Sequence, residues 1–268
     1  MVPRMTFTRS RKFTRLPAAN IGLAALFVVC TAVVVGGEDR PRELPKDGSW
    51  VRWQCEYRLQ EGKPIDFVVT LSLVGSAVED DQPCRWLEVK QEFRIEGEVA
   101  ARVGVEKILV PEEKLLNDER PLDYVRRLVI RRRDGTIQSI EGKDIPDRVS
   151  LASWQEFLLW APGTRKGTSV EADQSKDVKY QQGSLARSEA RSGSRTYRHD
   201  AFPESGKVEG KNEIKYTIWQ HPELPLGFAE AHIAGRRFLR GSNVGDWVKE
   251  YRLQDFGMDA KTELAESN

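Results

Sequence analysis

The chain has 268 residues, with 42 Lys and Arg against 41 Asp and Glu and a net charge of +1. That balance excludes a nucleic-acid binder held by bulk positive charge. Charged residues make up 31 % of the chain and aromatic ones 9 %, which suits a packed domain with a surface of mixed sign.

The N-terminus stands apart from the rest. Residues 1–37 hold five basic side chains, Arg4, Arg9, Arg11, Lys12 and Arg15, and no acidic one. An apolar run follows from Ile21 to Val35, then Gly36, Gly37 and a sharp return to charge. A bilayer span needs roughly 20 apolar residues, so the layout fits a cleaved secretory signal better than an uncleaved anchor. Cuts after Gly37 or after Ala32 are both chemically reasonable, and the first leaves Glu38 heading a polar stretch. Cys30 invites a lipid-modified N-terminus, but Leu26-Phe27-Val28-Val29 lacks the small residues such a signal wants. In each case the remainder is expected to work outside the cytoplasm, because the basic flank stays inside. It would be released into a periplasm or to the exterior, or held at a membrane through residues 21–37. Without residues 1–37, 37 basic residues face 41 acidic ones, a net of −4.

Residues 38–48 form a polar, proline-containing lead, and a single β-rich domain is expected over 49–257. In "SWVRWQCEYRLQ" the side chains Val51, Trp53, Cys55, Tyr57 and Leu59 alternate with Arg52, Gln54, Glu56 and Arg58. Period two is the mark of a half-buried strand. "EGKP" turns the chain, and "FVVTLSLV" places Phe67, Val69, Leu71 and Leu73 on one face. "EDDQP" turns it again, and "CRWLEVKQEFRI" supplies Leu87, Val89, Phe93 and Ile95. Three such strands with short turns predict an antiparallel meander with one wet face.

"VGVEKILVP" predicts a fourth strand. Pro111 then opens "PEEKLL", whose acidic first turn suits a helix dipole. "PLDYVRRL" reads as a second short helix. Asp134-Gly135 between two β-prone runs predicts a hairpin, with a helix continuing to Arg132 as the alternative. "SLASWQEFLLW" is the best helix: Ser150 can cap it, and Leu151, Trp154, Phe157 and Leu158 recur at helical spacing. Residues 164–213 turn polar, which fits either a mobile insertion or long solvated strands. "NEIKYTIWQH", "LPLGFAEAHIAGRRFL" and "DWVKEYRLQDFG" predict the closing strands, and residues 258–268 read as a disordered polar tail.

The expected fold is mainly β (α+β): a curved antiparallel sheet or half-barrel with one to three short helices packed on its concave side. The meander "WVRWQCEYRL…FVVTLSLV…CRWLEVKQEF" and the later "QHPELPLGFAEAHI" resemble the half-barrel of periplasmic lipoprotein carriers and related lipid-binding exported proteins. The resemblance covers 48–256 in outline, without a residue-level motif. It implies an apolar groove between sheet and helices that holds an acyl chain.

No catalytic signature accompanies this pattern. "GSNVG" at Gly241–Gly245 centres on Asn243 where a nucleophile elbow needs serine, and there is no Walker A loop, dinucleotide fingerprint, H-E-x-x-H or C-x-x-C. His199, His221 and His232 have no spacing that forces them together, so neither a metal site nor a cofactor is expected. Arg131 and Arg133, within "VRRLVIRRR", would share one strand face, either to contact anionic groups or as a charged edge that blocks aggregation. Export permits a disulfide between Cys55 and Cys84. Cys84 shares parity with Trp86 rather than Leu87, however, and a meander would leave one strand between the two cysteines, so two separate buried thiols stand as the other reading.

The sequence therefore points to an exported, non-enzymatic domain that binds a lipid, lipoprotein or envelope component. Trp53, Tyr57, Phe67, Trp154 and Phe157 are the candidate groove residues, each with plain core packing as its alternative. A protein-interaction module without a cavity is the second reading, and a hydrolase with dispersed active-site residues the third.

Overall fold

The computed structural model describes residues 43–60, 62–93, 102–132, 134–141, 145, 151–165, 168–201 and 208–264. The leader at 1–37, Ile95, Arg133 and Ser150 lie outside the described residues. The first meander comprises β1 (Trp50–Leu59), β2 (Ile65–Glu79), β3 (Gln82–Phe93) and β4 (Arg102–Pro111). Helix α1 (Glu112–Asn117) and a 3-10 turn at Pro121–Tyr124 lead to β5 (Arg127–Arg131) and β6 (Ile137–Glu141). Helix α2 (Leu151–Phe157) connects to β7 (Ser169–Tyr180), β8 (Gly183–Ala201), β9 (Val208–Gln220), β10 (Glu230–Leu239) and β11 (Ser242–Gly257).

All these strands join one antiparallel sheet in the order β6-β5-β4-β3-β2-β1-β11-β10-β9-β8-β7. Two meanders thus run outward from a central pair, β1 and β11, the first and last of the described strands. Trp53 stands opposite Leu253 in that pair, and Cys55 opposite Tyr251. The sheet is curved. In a flat sheet β7 would lie about 19 Å from β11, four strand spacings away. Instead the Gln181 N–H donates to the Gln254 carbonyl at 3.2 Å, and the Tyr180 and Phe256 rings sit 5.4 Å apart.

Alternation sorts the side chains. Val51, Trp53 and Cys55 of β1 point to the inner face with Phe67, Val69 and Leu71 of β2 and Leu87 and Val89 of β3. Ile214, Tyr216 and Ile218 of β9 and Tyr251 and Leu253 of β11 join the same core, which α2 covers with Trp154 and Phe157. A second, smaller cluster on the outer face gathers Cys84, Trp86, Val105, Leu109 and Val129 around Leu264. Helix α2 stops where the Thr164 hydroxyl meets the carbonyls of Ala161, Leu158 and Leu159 at 2.8, 3.0 and 3.2 Å. Gly163 lets this exit press on the chain after α1, since a Cβ there would stand 2.3 Å from the Asp118 carbonyl oxygen.

Several expectations change on this framework. The "PLDYVRRL" helix is only a 3-10 turn, and β5 begins at Arg127, so the hairpin around Asp134-Gly135 forms in place of a helix to Arg132. Within 164–213 the described residues are mostly strand, in β7, β8 and the start of β9. The disordered tail is wrong for 258–264: these residues lie against the sheet, with Leu264 fully buried. The disulfide is corrected too. Cys55 and Cys84 are free and buried, and they belong to clusters on opposite faces. The parity of Cys84 with Trp86 is the physical reason.

Burial pushes the Cys55 thiol well above its ordinary value, Lys249 pulling it down and Glu156 pushing it up. Burial also raises Cys84. The native protein should therefore resist iodoacetamide at both positions, and both should alkylate in denaturant without reductant. Peptide mapping that finds them labelled only after reduction would contradict the opposed placement.

Candidate functional site

The inner face under α2 is where a groove was expected, and rings occupy it. Trp53 stacks on Phe228 with centroids 4.6 Å apart and lies 6.5 Å from Phe157. Tyr251 meets the edges of Trp53, Phe157 and Phe228 at 6.1, 6.2 and 5.6 Å. Trp154 closes the cluster against Phe157 at 6.4 Å. These are ordinary aromatic contact distances, so packed rings stand between Trp53 and α2. Phe67 is stacked on Phe93 at 5.0 Å, farther along the same face. Of the five candidate groove residues, Trp53, Trp154 and Phe157 come together as packed core, Phe67 is core at its margin, and Tyr57 alone is half-buried.

Two of the indole groups in this core find partners, while the buried Trp160 Nε1 has none. Trp53 Nε1 donates to the Phe228 carbonyl at 2.7 Å, and Trp154 Nε1 to Glu106 of β4 at 2.9 Å. Burial raises the Glu106 carboxyl, and the Trp154 N–H offsets this in part. Glu156 of α2 is buried, accepting 2.8 and 2.9 Å bonds from Lys249 Nζ and a 2.5 Å bond from the Tyr251 hydroxyl. Burial and the Glu156 charge together push the Tyr251 hydroxyl well up, so it stays a neutral donor. One carboxylate thus holds α2 to β11 through two side chains.

The core opens at one end. Lys249 lies over the Tyr57 and Trp247 rings, 5.5 and 5.0 Å from their centroids, and those rings meet edge-on at 6.2 Å. Tyr57 pairs across the sheet with Ile65, and Leu59 with Trp247. Leu59 is 46 % exposed and Ile65 44 %. The Trp247 indole lies flat on β10, because Gly235 has no Cβ; one there would stand 2.2 Å from the ring. The result is an apolar rim of Tyr57, Leu59, Ile65 and Trp247, with Lys249 at its inner boundary.

The other candidates are dispersed. Arg131 faces the C-terminal segment, pairing with the Glu263 carboxylate at 3.5 Å and donating to its carbonyl. Its partner in the sequence reading, Arg133, is outside the described residues. His232 pairs with Thr217, which pairs with Ser192, and His199 lies seven residues from Ser192, about 23 Å along the strand. His221 follows the end of β9, where its Nδ1 accepts the Glu223 N–H at 3.2 Å. Among the described residues, no three His, Cys, Asp or Glu side chains gather as a metal-ligand set, and no helix is long and apolar enough to cross a membrane.

Glu156 and Lys249 were not singled out by the sequence. The signal for Glu156 was present: one carboxylate inside the apolar run "SWQEFLLW". Its partners lie 93 and 95 residues away and could not be named from the sequence.

No protein-family model matches this chain, and no curated protein matches it. Among solved structures, the chain is similar to a "putative lipoprotein" from Parabacteroides distasonis ATCC 8503. The match has 8 % identity, a TM-score of 0.25, and covers 80 % of this chain and 97 % of that one. So distant a likeness carries no argument about the site.

Two measurements test the buried polar groups. Glu156→Ala strands Lys249 and Tyr251, and should cost about 3–5 kcal/mol in urea unfolding. Replacing all three together by Leu, Leu and Phe should recover most of that loss. Glu106 acts in the other direction. Its raised native value means the folded state holds the proton more tightly, so stability falls as pH rises from the ordinary carboxylate range through that value. Glu106→Gln should abolish this slope and raise Tm at pH 7 by roughly 2–4 °C, with the gain shrinking towards pH 4.

Proposed function

We propose that this chain is an exported, non-catalytic binding domain that meets its partner at the rim of the inner face, not within the core. The observation that carries this is a contrast along one sheet face. Between Trp53 and Phe157 the rings touch, while at Tyr57, Leu59, Ile65 and Trp247 apolar side chains reach solvent. Contiguous exposed apolar groups around aromatic anchors favour association, because covering them releases ordered water. Trp and Tyr are also the side chains that most often dominate interface energetics. The basic leader supports export. The partner is an envelope component with an apolar face, either a protein segment or an acyl chain laid across the rim.

Crosslinking in the native envelope, followed by native mass spectrometry of the purified protein, separates the two partner types. A co-purifying acyl species supports the lipid version, and a crosslinked polypeptide the protein version. In either case Trp247→Ala should weaken retention of the partner at least tenfold, about 1.4 kcal/mol or more, while far-UV circular dichroism stays unchanged. Undiminished retention by folded Trp247→Ala would refute the rim as the contact surface.

A further inference from the structure

The seven residues from Met258 to Leu264 leave β11 without regular secondary structure and cross the outer face of the sheet, away from the rim. Register places Trp50, Ser72, Glu88 and Lys107 side by side across β1, β2, β3 and β4. Glu88 is buried, and its carboxylate accepts from the Thr262 hydroxyl at 2.7 Å, the Glu263 N–H at 3.0 Å and the Leu264 N–H at 3.3 Å. Lys107 Nζ donates to the Leu264 carbonyl at 3.4 Å. The Leu264 side chain fills a pocket of Trp86, Val105, Leu109, Val129 and Cys84, separate from the inner core. Lys90 holds the Glu263 carboxylate at 2.7 Å, with Arg131 beyond at 3.5 Å.

Every consecutive side chain of Thr262-Glu263-Leu264 has its own receptor group, and the backbone is read in one direction by a carboxylate and an ammonium. Recognition sites treat extended peptides this way: main-chain bonds fix direction and pockets select side chains. The channel is also wider than its occupant. Beside the segment runs an open groove of about 170 Å³ between Trp50 and Lys90, with Thr70 and Ser72 among its lining residues and Ala260 and Lys261 on the segment's side.

We propose that this outer-face channel is a peptide-binding site whose resident occupant is the chain's own C-terminal segment. The partner it fits is an extended peptide presenting a hydroxyl, a carboxylate and a leucine at consecutive positions. A tethered occupant competes at a millimolar effective concentration, so a partner enters by displacing it.

Full-length Leu264→Ala empties the pocket while leaving the receptor groups in place. A fluorescein-labelled peptide with the sequence of residues 258–268 should bind this variant at least about tenfold more tightly than it binds wild type, by anisotropy. The same peptide with Ala in place of its Leu, or a protein carrying Glu88→Gln as well, should lose that gain. A folded Leu264→Ala protein that ignores the leucine peptide overturns the proposal. Should the variant fold poorly, hydrogen exchange on the wild type tests the same point independently. Opening of the Glu263 and Leu264 amides well before those of β1–β3 supports an exchangeable occupant, and opening only with global unfolding overturns it.

Discussion

The fold depends on the pairing of its first strand with its last. Every other neighbouring pair among the described strands is consecutive in sequence. Only β1 and β11 meet across about 200 residues, and that ladder fuses two meanders into one sheet. Three large buried rings straddle the seam: Trp53 comes from β1, Tyr251 from β11, and Phe228 from the approach to β10. The loop-closure entropy of so long a separation is recovered by burying aromatic area at the junction. Trp53 Nε1 adds direction, since its bond to the Phe228 carbonyl fixes the strand entry that "PELPLGF" supplies.

Covering that seam falls to a helix of seven residues, too short to be stable by itself. Tertiary contacts must therefore hold it. Trp154 and Phe157 supply the apolar contact, and Glu156 between them supplies orientation. A buried carboxylate tolerates very few positions, because it must reach both Lys249 and the Tyr251 hydroxyl. Apolar contact alone would let α2 slide along a greasy surface; the charged bonds exclude other registers at a desolvation cost. The same Lys249 borders the open rim, so the group that fixes the helix also marks where packed core ends and exposed apolar surface begins.

Much of this was legible because strand alternation is a local signal. The inner faces of β1, β2 and β3 follow directly from period two, and the parity of Cys84 with Trp86 already argued against the disulfide. The polar stretch after residue 164 was ambiguous for a physical reason. Strands β7 and β8 expose much of both faces, so serine, arginine and glutamate hide the period that buried residues such as Val178 and Leu185 would reveal. The C-terminal segment was misread because its order comes from one leucine and from hydrogen bonds to Glu88, some 175 residues earlier. Composition describes such a segment as polar and free; only the sheet supplies its partners. Trp53, Phe67, Trp154 and Phe157 share one core cluster with Tyr57 packed against it, but whether facing rings touch or leave a channel depends on how deeply the helix sits, which no local pattern encodes.

An open sheet of this length has two edges, and each is a template for unwanted pairing. The β6 edge is short, five residues, and bears Glu141 within 3.7 Å of Arg127. The β7 edge is longer and is handled differently. Its register with β8 shifts twice, around Lys176, which twists the strand away from regular pairing. Lys176 lies 3.6 Å over the Trp219 ring and bonds Glu230 at 2.6 Å, tying β7 to β9 and β10. The turn after β7 then docks on β11 through Gln181 and Tyr180. Curling thus turns a free edge into an internal contact, as barrel closure does, without completing a barrel. It also explains how a segment this polar stays folded: what β7 lacks in apolar burial it regains from cation–π and charged contacts to strands that only the curl brings within reach.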